Sequence, residues 1–304
     1  INLTVVGPEK PLTKGFVNAF YERRIPIFGP IASAAEMEGS KIIAKELMCR
    51  AKIPTANSAS FFQYDEAIAH VRKRNAPCVV KASGLANGKG VYLCAGEEEA
   101  LHALRELMVE RVCGKAGISV VVEDMLSGQE VSVHALCDGL DFEVLPLSQD
   151  HKRAYDGDKG PNTGGMGAIA PLPHYDAELT RERIGKEIIY PFLHDLRTRS
   201  RIVFFSGCLY PGVMMTEDGP MVLEINVRFG DPEMQVYAML LEGDLYATLS
   251  ACARGNLPSV APLSWRKGYA VCVVLASGGY PGAYARGVPI RGLEEAAALR
   301  DVAI

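Results

Sequence analysis

The chain has 304 residues, 48% hydrophobic and 22% charged, with a formal net charge of −4. That length suits about two domains, and the composition is that of an ordinary globular protein with enough apolar residues for a sizeable core. The mild acidity excludes a general electrostatic case for nucleic-acid or membrane-surface binding. Eight cysteines are scattered without a Cys-x-x-Cys pair, most of them in apolar runs such as Cys78-Val79-Val80. They read as reduced core thiols, which fits a cytoplasmic protein. Neither they nor the six histidines show zinc spacing. There is no run of 18 apolar residues and no basic-apolar leader. Ile1 enters directly into a strand pattern and the chain stops soon after Gly292, so both ends read as cut.

Leu3–Val6 reads as a short strand, Leu12–Arg23 as a helix with Leu12, Phe16, Ala19 and Phe20 inward, and Ile25–Phe28 as a second strand. This is the end of a parallel α/β layer. Glu38-Gly39-Ser40-Lys41 opens a helix with Ser40 as N-cap, running to about Ala51 and stopping before Ile53-Pro54. Lys41 on its first turn is either a surface lysine or a phosphate contact.

A compact α+β unit follows, with a helix over Asp65–Arg74, strands at Pro77–Ala82, Val91–Cys94 and Ser119–Asp124, and a helix over Glu97–Val112. Lys81 lies inside an apolar strand, where its charge must be met by a phosphate or a carboxylate. The loop Ser83–Gly90 after it is glycine-rich, with Gly84, Gly88, Lys89 and Gly90 able to bring backbone N–H groups over phosphates. It has neither Walker A nor dinucleotide-fingerprint spacing. Taken with Lys81, phosphate covering is the better reading. The strand Glu130–Cys137 alternates Val131, Val133 and Ala135 against Ser132, His134 and Leu136. Its entry is either an adenine and ribose edge or a polar hairpin.

From Gln149 to Gly167 no regular pattern holds. A structureless stretch of this length, dense in acids, bases, amides and glycines, reads as a binding loop for a charged small molecule. A helix spans roughly Asp176–Thr198, with Leu179, Ile184, Ile188 and Leu193 inward. Gly207–Thr216 and Met221–Val227 form a hairpin through Asp218-Gly219. Leu245–Ala253 is a helix, Pro258–Pro262 a linker, and Tyr269–Leu275 a strand that opens a further small β-rich unit.

The stretch Leu223–Glu233, LEINVRFGDPE, organises the chemistry. Alternation puts Glu224 and Asn226 on one strand face, two hard oxygen ligands side by side, as a Mg²⁺ shared with nucleotide phosphates requires. The competing reading is a solvated strand face. The hairpin register and the downstream Arg228 and Asp231 favour the metal.

Taken together, Glu38–Lys41, Val79–Val91, Gln149–Arg153, GPNTGGMG at 160–167, Leu223–Glu233 and LASGGYPG at 275–282 resemble the phosphoribosylamine–glycine ligases (glycinamide ribonucleotide synthetases), an ATP-grasp family of purine biosynthesis. The resemblance runs across nearly the whole chain. It implies a mixed α/β and α+β, ATP-grasp fold. Residues 1–40 would end a Rossmann-like N-terminal layer and 41–56 form a connecting helix. Residues 57–128 would be the lid, 129–262 the core, and 263–304 the start of a C-terminal β-rich domain. It implies ATP with Mg²⁺ or Mn²⁺, glycine and 5-phosphoribosylamine as small-molecule partners, and allows fusion to other purine-pathway domains. By the same resemblance Glu224 and Asn226 hold the metal, and Lys41 and Lys81 neutralise phosphates. Arg228 and Lys81 act in phosphoryl transfer, under the cover of Gly84–Gly90. Glu123 and Leu126 meet adenine and Glu130 the ribose, while Asp150, Lys152, Asn162, Thr163 and Asp231 line the glycine and phosphoribosylamine pocket. The glycine-rich opening usual near the family's N-terminus is absent from this sequence. Another ATP-grasp carboxylate–amine ligase or carboxylase, or a nucleotide-binding relative without turnover, are the alternatives.

Overall fold

The computed structural model describes residues 1–86, 89–175, 177–199 and 204–304. Strand β1 (Thr4–Val5) lies parallel to β2 (Ile27–Phe28), as the sequence pattern predicts. Between them the expected single helix is two, α1 (Glu9–Thr13) and α2 (Phe16–Glu22). Gly15, at φ 79°, breaks the run. The break also turns Phe16 outward: it is 45% exposed and packs on Phe20, while Leu12 is fully buried. Helix α3 (Ala32–Gly39) carries no apolar stripe long enough to announce it, yet Ala34 and Ala35 are fully buried. The next helix, α4 (Lys41–Arg50), starts where expected, with the Ser40 hydroxyl accepting from Ile43 N.

A small antiparallel sheet follows, built from β3 (Ser58–Phe61), β4 (Cys78–Ala82), β5 (Val91–Cys94) and β6 (Val120–Asp124) in the order β3-β6-β4-β5. Helices α5 (Tyr64–Arg74) and α6 (Glu97–Leu104), the latter continued by a wider turn over Arg105–Glu110, contribute Ala67, Val71, Ala100 and Leu104 to the core beneath it. Cys78, Val80, Ala82, Val120 and Val122 join them in that core. Strand alternation therefore sends Val79, Lys81, Val121 and Glu123 to the opposite face.

The larger part begins with β7 (Gln129–Ser132), β8 (Ala135–Asp138) and β9 (Phe142–Val144). The Gln149–Gly167 segment is less irregular than its sequence suggests. It contains β10 (Gln149–Asp150), a hairpin of β11 (Arg153–Tyr155) and β12 (Lys159–Asn162), and the start of β13 (Gly167–Ala170). Gly157 and Gly160 adopt positive φ at and after the turn, and a Cβ on Gly160 would lie 2.3 Å from the Tyr155 ring. The glycines that read as substrate-approach positions are in part what lets the hairpin close.

Helix α7 (Ala177–Ile184), a wider turn over Gly185–Ile189, and α8 (Tyr190–Arg199) form the expected long helix; its expected first residue, Asp176, lies outside the described residues. Ile184, Ile188 and Leu193 are buried, but Leu179 is 65% exposed because it sits in the first turn, before the helix comes over the core. Strands β14 (Ser206–Thr216) and β15 (Gly219–Asn226) make the expected hairpin. The single strand expected over Glu130–Cys137 is interrupted at Val133-His134, and both pieces, β7 and β8, pair antiparallel with β14. Both of its faces are buried, the Ser132 and His134 row included. Helices α9 (Glu233–Leu240) and α10 (Leu245–Ala253) cover a second apolar cluster around Leu136, Cys208, Tyr237 and Leu249. Strand β16 (Ala270–Val273) extends β13 antiparallel in a sheet of order β10-β13-β16, and a short helix, α11 (Leu293–Ala297), ends the regular structure.

Five cysteines, Cys78, Cys94, Cys137, Cys208 and Cys252, are buried free thiols, whereas Cys49 is exposed. Among the described residues no helix is long and apolar enough to cross a membrane.

Candidate active site

A cleft runs between the small sheet and the β15–β14–β7 face, and most of the expected site residues line it. Two sets of bonds join its walls. Pro54 O accepts from Val222 N (2.8 Å) and Thr55 Oγ1 donates to Val222 O (2.6 Å), tying the chain before β3 to β15. Lys41 N donates to Ser83 O (2.8 Å), and the Ser40 and Ser83 hydroxyls lie 3.2 Å apart, tying the end of β4 to the start of α4. Lys41 and Lys81 thereby approach one spot from two elements.

Glu224 is the centre of that spot. Burial raises its carboxyl pKa, but Lys152, Lys41 and Lys81 around it outweigh burial and bring it down to about 2. The neighbouring ammonium groups answer in kind. Burial pushes Lys41 below its ordinary value despite Glu224. On Lys152, burial is outweighed by Glu224, Asp150 and Glu130, which raise it. Asn226, two residues on, is buried and donates Nδ2 to Tyr210 O (3.3 Å), leaving its amide oxygen as the acceptor. An ionised carboxylate beside an amide oxygen, with cations rather than further acids around them, fits Mg²⁺ that completes its shell with phosphate oxygens and water. It does not fit a closed all-protein metal cage, and the described residues contain no cluster of three His, Cys, Asp or Glu that could hold an ion.

Arg228 is held by four neighbours. Its Nε lies 3.3 Å from Glu38 Oε1 and 3.7 Å from Glu9 Oε2, Nη1 donates to Phe229 O, and the guanidinium lies 5.9 Å from the Tyr210 ring centroid. Glu38 Oε2 also accepts from Val227 N (2.8 Å). Burial raises the Glu38 pKa to about 7 against the opposing pull of Arg228 and Val227 N–H.

Several expected contacts stand differently. The Glu123 carboxylate, assigned to adenine by resemblance, is spent on two buried lysines: it pairs with Lys81, and its Oε2 lies 2.6 Å from Lys45. Glu123 is 1% exposed, so its carboxylate is committed to the two lysines rather than free for an adenine contact. Lys81 Nζ also donates to Leu223 O (2.9 Å). Of the two partners weighed for a lysine in this strand the carboxylate is the one present, and the residue also lines the cleft. Leu126 lines the cleft half-buried. Glu130 Oε1 takes Lys152 Nζ at 2.5 Å, so the residue expected on a ribose is paired with one expected on substrate.

Asp150 accepts from Ser132 Oγ (3.3 Å). The Thr163 hydroxyl donates to Lys152 O (2.9 Å) and accepts from Gly165 N, which holds the loop rather than leaving a free donor. Asn162 is exposed at the cleft edge, and Asp231 accepts from Gln235 Nε2. Gly84 and Gly90 are packing glycines here: a Cβ on Gly84 would lie 2.7 Å from Ala116 Cα, and one on Gly90 2.8 Å from both Ala82 and Ala86 Cβ. Lys89 is exposed, and Gly88 lies outside the described residues.

Sequence reasoning missed a buried polar network behind the cleft. Tyr210 Oη donates to Glu233 Oε1 (2.5 Å), Ser132 Oγ lies 3.2 Å from the same oxygen, and His134 accepts at Nε2 from Gly230 N (3.1 Å). His134 stacks on Tyr210 and meets Tyr237 Oη at Nδ1. Burial and the Arg228 charge push His134 down to about 3, so it is neutral. Alternation in the Glu130–Cys137 strand marked the Ser132 and His134 row, but nothing local showed that the row is buried. Lys45 was also missed, although its place four residues after Lys41 puts both on one helix face.

Two family models match the chain: "Phosphoribosylglycinamide synthetase, N domain" over residues 1–38 and "Phosphoribosylglycinamide synthetase, ATP-grasp (A) domain" over 39–234. The phosphoribosylamine–glycine ligase of Caldanaerobacter subterraneus is 44% identical over 295 residues, 97% of this chain and 70% of that one. The crystal structure of the Thermotoga maritima phosphoribosylamine–glycine ligase superposes with a TM-score of 0.79 at 34% identity, covering 88% of this chain and 66% of that one. A biotin carboxylase domain of the Hydrogenobacter thermophilus 2-oxoglutarate carboxylase, crystallised with the magnesium salt of ADP, shares the fold at 20% identity, with a TM-score of 0.69 over 89% of this chain and 57% of that one.

Proposed function

The chain belongs to the phosphoribosylglycinamide synthetase family, and we propose that its cleft joins glycine to 5-phosphoribosylamine at the expense of ATP. The glycine carboxylate oxygen attacks the γ-phosphorus, the bond to ADP breaks, and an acyl phosphate forms. The amine nitrogen then attacks the acyl carbon, phosphate leaves, and the nitrogen gives up a proton. The products are glycinamide ribonucleotide, ADP and phosphate.

The observation that carries this reading is the convergence of Glu224, Asn226, Lys41, Lys81 and Lys152 on one cleft, where the three ammonium groups draw the Glu224 carboxyl low. Phosphoryl transfer needs positioning and charge neutralisation more than a covalent nucleophile, and these side chains are built for that. Glu224 and Asn226 would hold Mg²⁺ (or Mn²⁺), which supplies charge neutralisation on phosphate oxygens when bound. Lys41 and Lys81 bind the phosphates. Arg228, fixed by Glu38 and Glu9, faces the transferring group. Lys152, between Glu130 and Asp150, and Asp231 at the turn before α9 reach toward the substrates, with Asn162 at the rim. The small sheet with the Gly84–Gly90 loop serves as a lid that keeps water from the acyl phosphate. Residues 57–128 would move as that lid over a core at 129–262. A soluble cytoplasmic setting suits such small polar substrates.

The test is ADP release by the purified chain with glycine and freshly generated 5-phosphoribosylamine. We expect release to require both, and Glu224→Ala to abolish it while circular dichroism and thermal unfolding stay near wild type. Activity with another acid in place of glycine, or wild-type turnover by Glu224→Ala, would overturn the assignment.

A further inference from the structure

Lys45 does not line the cleft, yet it is built into what the cleft presents. Its ammonium is 6% exposed and lies 2.6 Å from Glu123 Oε2, 2.7 Å from Thr55 Oγ1 and 3.3 Å from Ala56 O. The other Glu123 oxygen takes Lys81. Among the described residues Glu123 forms no further ion pair. Two ammonium groups therefore share one buried carboxylate, and of the three only Lys81 and Glu123 reach the cleft wall. The cluster has one net positive charge, and the geometry lets that charge appear on Lys81.

We propose that Lys45 is a positioning residue for nucleotide binding: by neutralising Glu123 from behind, it leaves the Lys81 charge uncommitted for the triphosphate. This rests on the ATP reading of the cleft. The physical reason is charge balance in a poorly screened place. Without Lys45, Glu123 and Lys81 form a closed neutral pair, and a phosphate must compete with a buried carboxylate for Lys81. Without both Lys45 and Glu123, the cluster again has one positive charge on Lys81. The same balance does not follow if Lys45 only pins the Thr55-Ala56 segment, because removing Glu123 does nothing to restore that pin.

The experiment measures Mg-ATP binding by calorimetry on the whole chain, together with thermal unfolding and the KM for glycine. Lys45→Met is expected to weaken Mg-ATP binding roughly tenfold or more, which is about 1.4 kcal/mol, with the glycine KM unchanged. Lys45→Met/Glu123→Gln is expected to return binding to within roughly threefold of wild type, the coupling of neighbours that share a buried charge. Should Lys45→Met fail to fold, the charge-balanced double variant alone decides, and its failure to bind Mg-ATP overturns the proposal. Equal binding by wild type and Lys45→Met, or a double variant no better than Lys45→Met, also overturns it. Wild-type protein that binds no Mg-ATP overturns the nucleotide reading of the cleft and this inference with it.

Discussion

Gly212 stands directly opposite Glu224 across the β14–β15 ladder, and a Cβ on Gly212 would lie 3.3 Å from Glu224 Cγ. The ladder shifts register just beyond, between Gly212 and Val213. The missing side chain is thus part of what leaves room for the Glu224 side chain on the cleft wall it shares with Lys41, Lys81 and Lys152. A β-branched residue there must displace it. Gly212→Val is expected to lower turnover at least tenfold and raise the Mg²⁺ needed for half activity, at a stability cost of about 1–3 kcal/mol from overpacking. A Mg²⁺ titration beside a urea unfolding curve separates the two effects.

Glu38 sets a pH dependence. Its carboxyl, near 4.3 in an unfolded chain, is raised to about 7 by burial, with Arg228 and Val227 N–H pulling it down and Glu9 and Glu224 pushing it up. A raised carboxyl pKa means the folded chain holds the proton more tightly. The stability this adds is fully present below about pH 4 and is lost as pH rises through 7. The Arg228 ion pair has the opposite preference and forms as Glu38 ionises. Turnover is therefore expected to rise with pH through a midpoint near 7, and Glu38→Gln to remove that limb while lowering the plateau. A kcat profile between about pH 5.5 and 8.5 checks it.

Gly84, in the loop after β4, and Gly96, in the turn between β5 and α6, differ in packing. Gly84→Ala must push Ala116 backbone aside and is expected to cost about 1–3 kcal/mol, with faster amide exchange across β4 and the 114–118 turn. Gly96→Ala, with no atom within 4 Å of the added methyl and an extended backbone, is expected to stay within about 0.5 kcal/mol of wild type. Thermal unfolding of the pair is the measurement.

Tyr210→Phe removes the short hydrogen bond to Glu233 and leaves the buried carboxylate with a backbone N–H and a Ser132 hydroxyl that also faces Asp150. Loss of about 1–3 kcal/mol is expected. Burial, then Asp150, already raises Glu233, and removal of a donor raises it further. The variant should therefore lose stability more steeply than wild type as pH rises above the ordinary carboxylate range, seen in denaturant midpoints at a series of pH values.

Local pattern carried much of the fold. Ser40 capping α4, the Asp218-Gly219 hairpin and the apolar strand expected over Pro77–Ala82 each depend on a few adjacent residues, and each appears in the structure where the sequence puts it. The misses have local causes too. Gly15 cut a helix that apolar spacing joined, and α3 is too rich in small residues to show a stripe. Within the site, Glu224, Asn226, Lys41, Lys81 and Arg228 were legible because charge in a strand or at a helix start is costly unless used. Glu38, Lys45 and Glu233 were not, since their partners sit on other elements, 23 to 190 residues away in sequence.

The sequence by itself determined which residues could carry charge into a buried place, and through its motifs the family to which the chain belongs. Only the tertiary structure decided how those charges are shared. Glu123 is an adenine residue by analogy but a counter-ion by geometry, because β6 sets its carboxylate between Lys81 on β4 and Lys45 on α4. Periodicity tells which way a side chain points along its own element. The partner it meets, and so its charge state, depends on elements brought together by a core that no local stretch of sequence contains.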